Sequence, residues 1–167
     1  MKPVDLQYMN KAYLLIGGNM GERQQNLGRA ITLLQGTGKL CKTSGLYETA
    51  AWGKTDQPAF LNQALLLETA LSARGLLQAV LRIEEEMGRK RTEKYGPRII
   101  DIDILFYNCD SIQEPGLVVP HPEIQNRRFA LEPLNEIAPH YRHPLLKKTI
   151  ETLLNECPDK LEVHKLP

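Results

Sequence analysis

Asp101 and Asp103 interrupt an otherwise apolar run, "RIIDIDILFY", at residues 98–107. In an extended strand alternate residues share a face, so the two carboxylates project together while Ile100, Ile102 and Ile104 project the other way. Two strand rises separate their Cα atoms, roughly 6.6 Å. At that spacing two negative charges repel, and partial burial strengthens the repulsion. A hard divalent cation removes both penalties, because Mg²⁺ takes oxygen ligands and completes its shell with water and phosphate oxygens. Two solvated acids on an exposed strand face are the alternative.

The residues just upstream favour the cation. Arg89, Lys90, Arg91, Lys94 and Arg98 crowd into "GRKRTEKYGPR", a loop marked by Gly88, Gly96 and Pro97. On its own such a cluster is an ordinary solvated face. Beside a di-acid it supplies what a metal–polyphosphate site requires, since guanidinium forks match the phosphate oxygens that the metal leaves over. The stretch "GGNMGE" is neither a P-loop nor a dinucleotide-binding glycine motif, so phosphate binding must rest on metal and arginines.

A third pair has a different chemistry. In "PAFLNQALLLET", Phe60 and Asn62 fall on one strand face with Ala64 and Leu66. A side-chain amide among apolar residues must satisfy its donors and acceptor. A neighbouring backbone would serve. So would a planar heterocycle stacked on Phe60 and hydrogen-bonded to Asn62.

These residues need elements to hold them. "AYLLIG" (12–17) reads as a buried strand, and Leu27, Ile31 and Leu34 as one face of a helix ending near Gly36. "KLCKTSGLYET" reads as a second strand and "PAFLNQALLLET" as a third, long enough to lie mid-sheet. Ser72 suits an N-cap before the helical stripe Leu76, Val80, Ile83 and Met87, which stops at Gly88. A fourth strand runs from about Arg98 to Tyr107. The order βαββαβ predicts an α+β, ferredoxin-like fold: an antiparallel sheet with helices packed on it. The core spans about 11–108 of a single domain, 1–167. A proline-rich C-terminal extension, about 109–167 with a short helix around Leu145–Leu154, is expected to cover one edge or end of the sheet. Such a fold hosts many functions and decides none.

Composition narrows the classes. With 167 residues the chain has room for one real core, and 42% hydrophobic and 25% charged residues are ordinary for a globular protein. A net charge of +1 provides no field for nucleic acid. No apolar run approaches membrane-spanning length. Cys41, Cys109 and Cys157 are too scattered for a metal or redox motif and suit a reducing, cytoplasmic setting.

The loop and strand together form a long pattern: basic-x-Gly-Pro-Arg-x-x-Asp-aliphatic-Asp-aliphatic-aliphatic, from Lys94 to Leu105. With "LLIGGNMGER", "YETAAWG", "DQPAFLNQAL", "RIEEEMGR" and "VPHPEIQNRRFAL", the chain resembles the 6-hydroxymethyl-7,8-dihydropterin pyrophosphokinases of folate biosynthesis over nearly its whole length. The resemblance implies transfer of the β,γ-pyrophosphoryl group of ATP to the hydroxymethyl oxygen of the pterin, with release of AMP. Asp101 and Asp103 would then hold two Mg²⁺ ions. Phe60 and Phe129 would sandwich the pterin. Asn62 would read its polar edge, with Thr49, Ala50 and Trp52 alongside. Arg89 and Arg98 would be catalytic, binding phosphates and stabilising charge during transfer. Glu84, Arg91, Tyr95, Ile104, His121 and Arg127 would join them in contacting ATP. The expected partners are small-molecule substrates, with no nucleic acid, membrane or obligate protein partner, and a monomer is the expected state. Two other classes compete: a Mg²⁺-dependent nucleotidyl- or glycosyltransferase, and a non-enzymatic ferredoxin-like ligand-binding module.

Overall fold

The computed structural model describes residues 9–51, 56–90 and 96–167. Trp52, Arg91 and Tyr95 lie outside the described residues. The first half carries β1 (Asn10–Gly18), α1 (Arg23–Leu34), β2 (Lys39–Thr43), β3 (Tyr47–Thr49), β4 (Phe60–Thr69), α2 (Ala73–Glu86) and β5 (Asp101–Tyr107). The strands form an antiparallel sheet in the order β5-β1-β4-β3, with β2 also on β4. This is the expected ferredoxin-like arrangement, with β4 mid-sheet.

Local signals set the helices. The Ser72 side chain accepts from Gly75 N at 3.0 Å and caps α2. Leu76, Val80, Ile83 and Met87 are all buried, and Gly88, at φ +87°, turns the chain where a side chain would be strained. Leu27, Ala30 and Leu34 of α1 are buried against the same sheet face. That face also takes Leu14, Ile16, Leu65, Ile102 and Ile104.

Four expectations are corrected. The second strand is two: from Thr43 to Tyr47 the chain advances four residues while β4 advances three, Leu65 to Asn62. Ser44 absorbs the extra residue, its Oγ accepting from Ala64 N at 2.9 Å, and Gly45 N turns to the Glu136 carboxylate at 3.0 Å. The fourth strand starts at Asp101 rather than Arg98, because the main chain of Arg98 bonds Asn19 instead of a strand ladder. The last helix, α4, covers Ile150–Asn155 and begins at a Thr149 cap. Before it, Pro144–Lys148 forms a turn in which His143 Nδ1 accepts from Leu145 N and Leu146 N.

The extension, finally, covers a face and not merely an edge. After a hairpin of β6 (Ile112–Glu114) and β7 (Leu117–Val119) comes α3 (Arg128–Ile137), which the prolines had masked. Pro133 sits inside α3 and removes one helical donor, yet Ala130, Leu131, Leu134 and Ile137 still pack on Leu15, Ala64, Leu105 and Phe106. Burial outweighs the lost bond. β8 (Val163–Lys165) then pairs with β3 and extends the sheet edge.

Candidate active site

Strand alternation and the length of α3 create the site. Leu15 and Gly17 on β1, Phe60, Asn62 and Ala64 on β4, and Asp101, Asp103 and Leu105 on β5 share the α3 side of the sheet. α3 begins only at Arg128, so it covers Leu15, Ala64 and Leu105 and leaves the other end of the face open. That end is an open cleft. Thr49, Ala50, Phe60, Asn62 and Phe129 line one part of it, and Arg98, Asp101, Asp103 and Arg127 another. Nine residues singled out from the sequence thus meet in one cavity.

The acids are held differently. Asp101 accepts from Arg89 Nη1 at 2.6 Å on one oxygen and from Arg98 Nη1 at 3.1 Å on the other. Asp103 has no ion-pair partner among the described residues. Burial, then the Asp101 charge, push its carboxyl up to about 7, with the Arg127 guanidinium opposing.

Arg98 bridges the two parts of the cleft. Its guanidinium carbon lies 5.2 Å from the Phe60 ring centroid while its Nη1 bonds Asp101. Arg127 stands likewise over Phe129 at 5.8 Å. Thr49 Oγ1 is buried and, among the described residues, has no hydrogen-bond partner. Nothing among the described residues hydrogen-bonds the side-chain amide of Asn62. Polar atoms left in this way beside an open cavity are what a polar ligand would engage.

The remaining candidates stand back from the cavity lining. Glu84 is 3% exposed, and its Oε2 accepts from Ile102 N at 2.8 Å and Arg89 Nη1 at 2.6 Å. It therefore joins α2 to β5 and holds Arg89 against Asp101. Ile104 turns its side chain into the core on the opposite face. His121 N donates to Leu105 O at 3.0 Å, and its Nδ1 accepts from Glu123 N at 3.1 Å. Burial, reinforced by the Arg127 charge, lowers its pKa to about 4, so the ring is neutral at pH 7.

The sequence reading missed Leu15 and Gly17 in the lining. Gly17 had a signal: a glycine inside an apolar strand marks a close approach.

A family model described as "7,8-dihydro-6-hydroxymethylpterin-pyrophosphokinase (HPPK)" matches residues 13–139. A 2-amino-4-hydroxy-6-hydroxymethyldihydropteridine pyrophosphokinase of Methylorubrum extorquens is 42% identical over 133 residues, which cover 78% of this chain and 84% of the relative. The enzyme of the same name from Aquifex aeolicus is 41% identical over 143 residues, 86% of this chain and 89% of the relative. Among solved structures, a Plasmodium falciparum HPPK-DHPS with pteroate shares the fold at a TM-score of 0.72 and 21% identity, covering 89% of this chain and 43% of that one. No helix among the described residues is long and apolar enough to cross a membrane. By the span of the family match and the identity to its relatives, this chain belongs to the 7,8-dihydro-6-hydroxymethylpterin-pyrophosphokinase family.

Proposed function

We propose that the cleft is where the pyrophosphoryl group of ATP passes to 6-hydroxymethyl-7,8-dihydropterin. The chain is a pyrophosphokinase of folate biosynthesis. The pterin hydroxymethyl oxygen bonds to the β-phosphorus, the bond from that phosphorus to the α,β-bridging oxygen breaks, and AMP departs. The observation that carries this reading is the opening of the Asp101–Asp103 pair into the same cavity as Phe60, Asn62 and Phe129. Donor phosphates and acceptor ring then meet in one place.

In this reading the pterin lies between Phe60 and Phe129, and its polar edge engages Asn62 and Thr49, the groups left without partners in the described structure. Arg98 and Arg127 take phosphate oxygens, and Arg89 acts from behind Asp101. Transfer of this kind needs in-line positioning and charge neutralisation more than covalent help.

Asp101 and Asp103 fit Mg²⁺ as the protein part of its shell. They are hard oxygen donors on one strand face, and the burial that disfavours the Asp103 charge would be offset by a cation. Among the described residues no set of three or more His, Cys, Asp or Glu could hold a metal, so the rest of the shell falls to water and phosphate. When bound, Mg²⁺ neutralises phosphate charge and polarises the phosphoryl oxygens.

The test is AMP release from ATP, measured with and without hydroxymethyldihydropterin and Mg²⁺. Dependence on both supports the reading. Pyrophosphate or a nucleoside diphosphate as product would assign the cleft to a nucleotidyl- or glycosyltransferase, and binding without turnover to a ligand-binding module.

A further inference from the structure

β4 and β5 carry the two sides of the cleft, but they are not neighbours, because β1 lies between them. What ties their leading ends to each other is Asn19, which follows β1 and is 2% exposed. Its Nδ2 donates to Gln57 Oε1 at 2.8 Å and to the Pro58 carbonyl at 2.9 Å, just ahead of Phe60. Its Oδ1 accepts from Arg98 N at 2.9 Å, and its own backbone N donates to Arg98 O at 3.0 Å. Both amide hydrogens are used, and the main chain of Arg98 is gripped from both sides. Gly18 makes the approach possible, since any β-carbon there would run into the carbonyls of Ile99 and Arg98. The grip is next to the chemistry: the same Arg98 reaches the Phe60 ring and Asp101 with its guanidinium.

We infer that Asn19 is a positioning residue for pyrophosphoryl transfer, acting through Arg98. It touches neither substrate. It fixes the main chain from which the Arg98 guanidinium reaches between Phe60 and Asp101, and it sets the start of β4 against that main chain. The inference rests on the reading of the cleft as the transfer site. A loop anchor with no functional consequence would show the same burial, so the measurement must follow Arg98 and not stability.

A double-mutant cycle in turnover does this, using the full chain well below its melting temperature. Asn19→Ala should lower kcat roughly 10²-fold, the scale on which a misplaced catalytic group reduces a rate. The dissociation constant for hydroxymethyldihydropterin should stay within about threefold, because Phe60, Asn62 and Phe129 are untouched. In an Arg98→Ala background the same substitution should change kcat less than about threefold, since the group it positions is gone. If the losses instead multiply, Asn19 does not act through Arg98 and the inference fails. Asn19→Asp is the milder variant: it keeps an acceptor for Arg98 N and loses both donors to Gln57 and Pro58. Because Asn19→Asp keeps the hold on Arg98, its kcat should fall much less than that of Asn19→Ala, and a loss of roughly 10²-fold would overturn the inference. If Asn19→Ala does not fold, the cycle is run with Asn19→Ser, too short to hold both Arg98 and Pro58, and multiplying losses overturn the inference there. Near-normal turnover of Arg98→Ala alone would overturn the transfer-site reading itself, a different result from failure of the cycle.

Discussion

Gly17 and Asn62 are register partners across β1 and β4, and the Asn62 Oδ1 fills the space a side chain at position 17 would need. The amide leans over bare backbone. We predict that Gly17→Ala displaces Asn62 and weakens hydroxymethyldihydropterin binding by about 1–3 kcal/mol, as expected when a polar edge loses its partner. Calorimetric titration should show binding of a non-hydrolysable ATP analogue nearly unchanged. Equal weakening of both ligands would mean the strand pair had shifted as a whole.

Asp103 carries the opposite stresses of burial and charge. Its folded pKa, about 7, lies above the ordinary aspartate value. The folded state therefore holds the proton more tightly than the unfolded chain, and this contribution to stability is lost as pH rises from about 4 to 7. Asp103→Asn removes that penalty. Without metal, at pH 8, the variant should be at least as stable as the parent, by on the order of 1 kcal/mol, in urea unfolding. Its Mg²⁺-dependent AMP release should be abolished. Retained turnover would detach Asp103 from metal binding.

Two histidines titrate the other way. His121 falls to about 4 and burial also lowers His143, whose Nδ1 accepts two backbone amides. Stability from such groups is present above the unfolded value, about 6.5, and is lost as pH falls toward the folded one. Unfolding free energy should therefore decline in acid despite the contrary contribution of Asp103. His143→Asn can still offer an acceptor to the turn and has no proton to gain, so the decline should be shallower. An unchanged acid slope would exclude His143 as a source.

Arg89 and Arg98 both reach Asp101, but from different depths. Arg89 is the more buried and also bonds Glu84. Removing one member of a buried ion pair is costly, so Arg89→Ala should lose about 3 kcal/mol of stability along with turnover. Arg98→Ala should lose turnover by roughly 10³-fold with less effect on stability. Lysine at either position should rescue only in part, since an ammonium is a point charge without the planar fork that matches phosphate oxygens. Comparing melting curves with kcat for the four variants separates the two roles.

Much of this was legible from local pattern. Ser72 and Gly88 bracket α2 because capping and φ preference are properties of a few adjacent residues. The shared face of Asp101 and Asp103, like that of Phe60 and Asn62, follows from period-two alternation alone. What stayed hidden depends on distant partners. Pro133 argues against a helix in any window, and only burial of Leu131 and Leu134 on Leu105 and Phe106 overrides it. Ser44 breaks a strand because Ala64 lies opposite. The site showed the same division. Its charged and aromatic members are conspicuous by type, whereas Gly17 and Asn19 matter for what comes close to them.

The register partners extend into a single row: Asp101, Gly17, Asn62 and Tyr47 lie side by side across β5, β1, β4 and β3. Neighbouring strands are about 4.8 Å apart, so backbone hydrogen bonding sets Asp101 and Asn62 at roughly 9.6 Å. The sheet works as a ruler, graduated in strand spacings, with its middle mark left bare at Gly17. Substitutions at either end change what is gripped but not the length measured. Insertions in the surrounding loops leave that length alone as well, and a slip in register would slide the ends of the row out of line while turning side chains to the wrong face. Changes in loop length should therefore be tolerated far better than any slip in the pairing of β1 with β4 or β5.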